Sequence, residues 1–151
     1  MGHEKLNRSL EWMFDFTKLH KVNENLDPNN PVIPVVVQDA NTLEVLIVAY
    51  ANKKAVIHSF ESGNATFWST SRNELWEKGK TSGNTLKLKE VRVNCDQNSL
   101  VYLVEPAKGG ACHVSDTNGD AIRTCYYRRV IYKKDEDNGS FKLETLEDVD
   151  L

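Results

Sequence analysis

Three cysteines are the residues best suited to bind a metal ion in this 151-residue chain. Sixteen residues separate Cys95 from Cys112 and twelve separate Cys112 from Cys125, so the chain has no CxxC pair. Structural zinc sites use four protein ligands, whereas three ligands leave one position open, as in catalytic zinc sites. Three thiolates make bound water less acidic than three histidines do, so a base such as the adjacent His113 would assist. Alternatively, the cysteines are small buried apolar side chains.

A polar segment over residues 68–84 combines hydroxyl, basic and aromatic side chains. Arg72, Lys78 and two glycines allow a cradle for phosphate, and Trp68 and Trp76 have flat rings that can stack on a base. The segment matches no P-loop pattern. Its composition fits a polar turn with two packing tryptophans equally well, so both interpretations stay open.

Polar residues also alternate around the first cysteine, as Asn94, Asp96 and Asn98. If this segment is extended, its alternate side chains share one face. Carboxylate and amide oxygens suit a hard cation such as Mg²⁺, although one carboxylate beside two amides is a weak ligand set. A plain turn between two strands explains the same residues.

Helices and strands that would position these residues can be predicted from the apolar pattern. Near-helical spacing of apolar residues predicts an amphipathic helix over residues 4–20, followed by a turn-rich linker at 27–31. Asn52 is expected to cap a helix that runs to about Ser62 and stops at Gly63, with His58 at its surface or core margin. Strands are predicted at 32–37, with an edge or bulge at Pro34, and at 44–50, 65–69, 85–93, 99–105 and 125–133.

These elements predict an α+β domain with a small mixed or antiparallel sheet and an N-terminal helix. Trp76 is placed in the middle of a polar loop. We divide the chain into an N-terminal helix and linker (1–30), a main domain (31–134) and an acidic tail (135–151). The tail carries a net charge of −6 and the rest of the chain +3, and the tail is expected to be weakly ordered.

Composition limits the possible functions. With 40% hydrophobic and 27% charged residues, the chain fits one globular domain. A net charge of −3 disfavours a general nucleic-acid binder. There is no apolar run of membrane-spanning length and no signal-peptide pattern, so we expect a cytoplasmic protein without a membrane partner.

Five motifs in order resemble the phosphoribosyl-AMP cyclohydrolase family of histidine biosynthesis. They are residues 68–72, 75–83, 95–96, 110–113 and 125–129, and the likeness spans about residues 32–133. The resemblance implies a homodimer with shared zinc sites, in which Cys95 comes from one chain and Cys112 and Cys125 from the other. It also implies hydrolysis of the N1–C6 bond of the adenine ring in phosphoribosyl-AMP, with His113 as the base.

The same resemblance implies which residues bind the nucleotide substrate and which correspond to a magnesium site. Arg72, Lys78 and the turn at 82–83 would hold phosphates. The implied substrate-binding residues are Trp68, Ser69, Ser71, Arg72, Trp76, Lys78, Thr81, Ser82 and Gly83. The positions that match the family's magnesium ligands are Asn94, Asp96 and Asn98.

Two departures from the family pattern affect this assignment. The family has three aspartates where this chain has only Asp96, so magnesium affinity should drop sharply. The family also has about six residues between its last two cysteines, whereas this chain has twelve. The extra turn-rich segment carries Asp116 and Asp120, which we hypothesise replace the lost metal ligands.

Two alternative functions follow from these observations. One keeps the fold and zinc but changes the substrate to another nucleotide-like molecule. The other is a non-catalytic zinc-stabilised module that binds RNA or protein through residues 78–92, which hold five basic side chains and Glu90.

Overall fold

A computed structural model describes residues 3–151, which form three helices and eight strands. The helices are α1 (His3–Arg8), α2 (Lys18–Asn25) and α3 (Lys53–Ser62). The strands are β1 (Ile33–Asp39), β2 (Val45–Ala51), β3 (Thr66–Ser69), β4 (Glu74–Glu77), β5 (Leu86–Val93), β6 (Leu100–Pro106), β7 (Arg128–Lys134) and β8 (Gly139–Thr145). Residues 1 and 2 of the segment predicted at 1–30 lie outside the described residues. Among the described helices, none has the length and apolar character needed to cross a membrane.

The largest sheet has four strands in the order β2-β1-β6-β5. Strands β1 and β6 are parallel and the other neighbours antiparallel, which confirms the predicted mixed sheet. Pro34 pairs with β2 one residue before β1 begins to pair with β6 at Val35. Its missing N–H therefore falls where β1 has one neighbour, as a proline requires. The bulge lies instead between Val37 and Gln38.

Helix α3 covers β3 and forms as predicted. The Asn52 side chain accepts a hydrogen bond from the Ala55 amide at 2.9 Å, and Gly63 ends the helix with φ +76°. Beneath the helix, the rings of Phe67 and Tyr102 stack with centroids 5.6 Å apart, and both side chains are fully buried. The capped helix and this core fix the position of β3.

An N-terminal helix is present as predicted, but it does not run over residues 4–20. The chain leaves α1 at Arg8 and forms α2 only at Lys18, and between them Glu11 makes an antiparallel bridge to Lys142 of β8. Trp12 and Phe14 both contact the Phe141 ring, at centroid distances of 4.8 and 5.6 Å. Aromatic residues at every second position are typical of extended chain, and packing against β8 selects that period over the helical one.

The acidic tail is not the weakly ordered segment that we predicted. Strand β8 pairs along its whole length with β7, and Leu143 is buried. Arg129 in β7 contacts Glu144 at 2.6 Å and Glu147 at 2.8 Å. Basic residues on β7 thus offset the negative charge of the tail. Alternating apolar residues further stabilise the two-stranded sheet of β7 and β8.

Trp76 lies in β4, not in the middle of a loop. Strand β4 pairs with β3 in antiparallel register, and Phe67 faces Trp76 across the hairpin with ring centroids 5.6 Å apart. An aromatic pair of this kind stabilises two paired strands. The polar composition of the segment gives no sign of β4, so it predicts a loop instead.

Candidate active site

A polar cavity of about 360 Å³ opens beside β4 and the turn that follows it. Five residues predicted to bind substrate line it together with His113, which arrives from a segment more than thirty residues further along the chain. These five are Arg72, Trp76, Lys78, Thr81 and Ser82. The structure thus brings residues from three of the five motifs to one site.

Glycine shapes the turn at one edge of the polar cavity. Gly79 has φ +79°, and a Cβ at this position would lie 2.1 Å from the backbone carbon of Asn84. The Gly83 amide donates to the Gly79 carbonyl at 2.8 Å, which closes the turn. Only glycine combines this conformation with such a close approach of two backbone segments.

Lys78 links the polar cavity to the cysteines. Its side chain is buried, with 7% exposed, and its amide donates to the Ala65 carbonyl at 3.2 Å. The ammonium lies 5.7 Å from the centre of the Trp76 ring, within cation–π range. Its positive charge favours the thiolate form of Cys112 and Cys125, but this effect on their pKa values is smaller than those of the bond between the two thiols and of burial.

Cys112 and Cys125 form a hydrogen-bonded thiol pair. The Cys125 thiol donates to Cys112, and this bond, with the Val114 amide that donates to Cys112 Sγ at 3.4 Å, lowers the pKa of Cys112 to about 6. The same bond, together with burial, raises the pKa of Cys125. The pair therefore favours one thiolate and one thiol, and the thiolate is the form of cysteine that binds metal ions.

Residues 107–127, which we call the cysteine loop, hold this pair between β6 and β7. The Cys125 amide donates to the Leu46 carbonyl and the Thr124 hydroxyl to the Val45 carbonyl, both at 2.8 Å. The two arms of the loop, which run before and after its tip, are joined where the Cys112 amide donates to the Ile122 carbonyl at 3.0 Å. The edge of the four-stranded sheet thus fixes one cysteine, and the loop's own pairing fixes the other.

Close backbone packing holds the two arms of the cysteine loop together. A Cβ added at Gly110 would lie 2.3 Å from the Ala121 carbonyl oxygen. The neighbouring Ala111 amide donates to the Arg123 carbonyl at 3.1 Å. Glycine at this position lets the arm that carries Cys112 approach the arm that carries Cys125.

Cys95 lies apart from the thiol pair, on an exposed turn between β5 and β6. The Asn94 side chain accepts from the amides of Asn98 and Ser99, and its amide group donates to Asn98 Oδ1 at 2.7 Å. The segment is therefore a turn between two strands, which agrees with the second of our two interpretations and excludes the extended one. Within residues 3–151, no three His, Cys, Asp or Glu side chains gather as a metal-ligand set.

The remaining predicted substrate residues shape the β3–β4 hairpin. Trp68 is buried, and its indole N–H donates to Asn73 Oδ1 at 3.2 Å. Ser69 Oγ lies 3.4 Å from Ser71 Oγ and accepts from the Arg72 amide at 3.3 Å. These contacts hold the turn that presents Arg72 to the polar cavity. Binding of a base by Trp68 stays a prediction.

The extra segment between the last two cysteines forms its own turn. Asp116 Oδ1 accepts from the amides of Asn118 and Asp120 at 2.9 and 3.0 Å. Both aspartates line a second cavity of about 360 Å³, with Arg123 and Asp148 in its wall. A role of the two aspartates as magnesium ligands stays a prediction.

One lining residue of the polar cavity was not singled out from the sequence. Glu77 is only 17% exposed, and its carboxylate lies 3.2 Å from His58 Nε2. His58, 42% exposed, sits at the core margin as predicted. Nothing in residue type or spacing separates Glu77 from the exposed Glu74 three positions earlier, because only the contact with α3 distinguishes them.

Comparison with known proteins identifies similar sequences. A protein-family model described as phosphoribosyl-AMP cyclohydrolase matches residues 47–127. The chain is 49% identical over 87 residues to the phosphoribosyl-AMP cyclohydrolase of Cenarchaeum symbiosum, covering 58% of this chain and 80% of that protein. It is 46% identical over 99 residues to that of Archaeoglobus fulgidus, covering 66% and 85%. The histidine biosynthesis bifunctional protein HisIE of Aquifex aeolicus is 41% identical over 119 residues, covering 78% and 55%.

Proposed function

The chain belongs to the phosphoribosyl-AMP cyclohydrolase family of histidine biosynthesis, and from that premise we propose a zinc-dependent hydrolysis of the N1–C6 bond in phosphoribosyl-AMP. One observation carries the proposal. Lys78 lines the polar cavity and acts on the thiol pair, and His113, next to Cys112, lines the same cavity. An imidazole and a buried cation therefore share one cavity, and the imidazole is adjacent in the chain to a cysteine of the thiol pair.

The thiol pair suits a zinc ion. Zinc prefers thiolate sulfur, and the shared proton between Cys112 and Cys125 is the one that a metal displaces. The buried charge of Lys78 offsets part of the negative charge that several thiolates would place together. When bound by three thiolates with one open position, zinc supplies Lewis acidity and makes water a stronger nucleophile.

The residues around the polar cavity account for binding and proton transfer. Arg72 and the turn at Ser82 offer hydrogen bonds and charge to the phosphates, and Trp76 offers an aromatic surface to the base. The sugar on N1 makes C6 electron-poor, so water attacks there. His113 takes a proton from that water and returns one to N1 as the N1–C6 bond breaks, leaving C6 as a carboxamide.

We propose further that Cys95 is the third zinc ligand and reaches the thiol pair from a second copy of the chain. Cys95 is exposed on its turn, whereas Cys112 and Cys125 lie together in the cysteine loop. An exposed thiol can join a pair on another subunit without unfolding its own surroundings. A symmetric homodimer would then contain two equivalent sites.

Subunit mixing tests this arrangement. A Cys95→Ser chain and a Cys112→Ser chain should each be inactive alone. A mixed dimer has one site with both changes and one intact site, so random mixing should restore about a quarter of wild-type activity. If the mixture stays inactive although mixed dimers form, Cys95 does not act across the interface.

The reaction itself is tested by turnover of phosphoribosyl-AMP, followed by its ultraviolet change. Zinc-loaded protein should convert the substrate, and protein stripped with a chelator should not until zinc is returned. Turnover that persists in fully stripped protein would contradict zinc dependence. Product analysis should show a ring-opened carboxamide imidazole, and an intact adenine ring would contradict the N1–C6 assignment.

A second candidate, in which the fold acts on another nucleotide-like substrate, is favoured by the turn at residues 94–99. Asn94 and Asn98 bond to each other and to the backbone, so a magnesium ion there would have to displace them. We expect weak magnesium binding. Failure to restore growth of a histidine-requiring strain, with zinc content intact, would support this second candidate.

A further inference from the structure

We propose that residues 146–151, here called the C-terminal strap, position the thiol pair by packing against the cysteine loop. This inference rests on the proposed function and deepens it by assigning support of the metal ligands to a segment distant from the motifs. The cysteine loop bonds to β2 and, through Tyr127, to the Asn7 carbonyl of α1. Val149 and Leu151 of the strap pack on the apolar cluster that contains Cys112.

Backbone contacts tie the strap to both arms of the cysteine loop. The Leu146 amide donates to the Tyr127 carbonyl at 2.9 Å, two residues after Cys125. The Thr117 amide donates to the Asp150 carbonyl at 3.0 Å, and the Thr117 hydroxyl donates to the Asp150 carboxylate at 3.3 Å. The strap therefore spans from the end of the loop to its middle.

Apolar contacts place the strap against the buried cysteine itself. Val149 and Leu151 pack on a cluster formed by Cys112, Val114, Ile122 and Tyr127, and Cys125 packs on the same cluster. Cys112 is only 2% exposed. Removal of these two strap side chains would open one wall around the thiol pair, because a loop without its cover opens more readily.

Arg123 couples the strap to the sheet. Its guanidinium contacts Glu44, the residue before β2, at 2.6 Å, and Asp148 of the strap at 2.7 Å. It lies two positions before Cys125, so the ion pairs hold the backbone that carries this ligand. Loss of Asp148 should loosen Cys125, since metal affinity depends on groups that orient the ligands.

The test compares three full-length variants with the wild type. Val149→Ala/Leu151→Ala removes the apolar cover, Asp148→Asn removes the ion pair, and Asp137→Asn changes the charge of the β7–β8 turn outside the strap. Zinc-loaded protein is mixed with a chromogenic chelator to measure zinc release. Zinc-free protein is alkylated with iodoacetamide, with modification at Cys112 and Cys125 followed by peptide mass. Urea unfolding reports global stability.

We expect the double variant to release zinc and to be alkylated at Cys112 about tenfold faster than wild type. Asp148→Asn should give a smaller increase, and Asp148→Glu should restore wild-type rates. Asp137→Asn should match wild type. Alkylation of Cys95, on its exposed turn, should be the same in all variants and serves as an internal standard.

The proposal is overturned if the urea midpoint of the double variant falls while zinc release and Cys112 alkylation keep wild-type rates. It is also overturned if the double variant keeps the wild-type urea midpoint and the wild-type rates of zinc release and Cys112 alkylation. Should the double variant fail to fold, Asp148→Asn and Leu151→Ala decide by the same criteria. Wild-type protein that binds no zinc would refute the proposed function instead, and alkylation of the zinc-free chain would still test the strap.

Discussion

The two regions that carry cysteines differ in how they are held. Cys112 and Cys125 lie in the cysteine loop, hydrogen-bonded to each other, beside the buried cation of Lys78. Cys95 lies on an exposed turn stabilised by its own asparagines. The surroundings of Cys112 already favour its thiolate form. Cys95 instead lies on a turn that is held by hydrogen bonds within the turn itself.

In the proposed zinc site, a buried pair of thiols in one chain would be completed by an exposed thiol from a second chain. The thiol pair depends on contacts from β2, from the hairpin β3–β4 and from the strap. The turn at 94–99 depends only on bonds within itself and with its strands. Changes near the pair should therefore affect the ionisation of the thiols, whereas changes in the turn that leave Cys95 in place should affect mainly local stability.

The largest effect is expected from Cys112→Ser. A serine oxygen binds zinc poorly, so zinc content should fall to background and turnover by a factor on the order of 1,000 or more. Metal analysis and the ultraviolet assay measure both. Equal zinc content in the variant and the wild type would show that the pair is not the metal site.

A smaller but large effect is expected from Lys78→Met, which keeps the size of the side chain but removes its charge. Loss of the nearby positive charge should raise the pKa of Cys112 from about 6. In zinc-free wild type, alkylation of Cys112 should fall as pH drops through about 6, because the thiolate is protonated there. In the variant this fall should occur at higher pH.

Turnover of Lys78→Met should decrease by about 10- to 100-fold, because substrate binding and thiolate stabilisation are both weakened. Lys87→Met, exposed on β5 and outside the lining of the polar cavity, is the matched control and should change little. If the pH dependence of Cys112 alkylation is the same in Lys78→Met and in the wild type, the charge of Lys78 does not affect the thiol pair.

An intermediate effect on stability is expected from Gly110→Ala. Its Cβ would lie 2.3 Å from the Ala121 carbonyl oxygen, so the two arms of the cysteine loop must separate, at a cost of about 1–3 kcal/mol. Urea unfolding measures the loss. Gly119→Ala, whose Cβ meets nothing within 4 Å but whose φ is +85°, should cost about 1 kcal/mol. Equal costs would argue against the close approach of the arms.

The smallest effect is expected in the turn at 94–99. Asn94→Ala removes a side chain that accepts two backbone amides, and should lower the free energy of unfolding by about 1 kcal/mol. Asn98→Ala removes only a side-chain contact to Asn94 and should cost less. In zinc-free protein the alkylation rate of Cys112 should be unaffected in both variants, and a changed rate would show that the turn and the thiol pair are coupled.

Local sequence signals predicted much of the fold correctly. The cap at Asn52, the stop at Gly63 and the β-branched run of β1 all act through nearby residues, and all were confirmed. The N-terminal segment failed because its apolar residues fit two periods, and contact with Phe141 chose the extended one. Strand β8 was not predicted because the acidic composition of the tail suggested weak order, whereas the tail pairs with the basic strand β7.

The chemistry of this protein was determined by the sequence, through thiols that suit zinc, an imidazole beside one of them and motifs that place the chain in its family. Such chemistry depends on residue type, so it can be predicted from the sequence alone. Which residues meet was decided by the tertiary structure. Burial of Lys78 near the thiol pair and coverage of that pair by the strap arise from contacts between segments far apart in the chain, which local patterns do not encode.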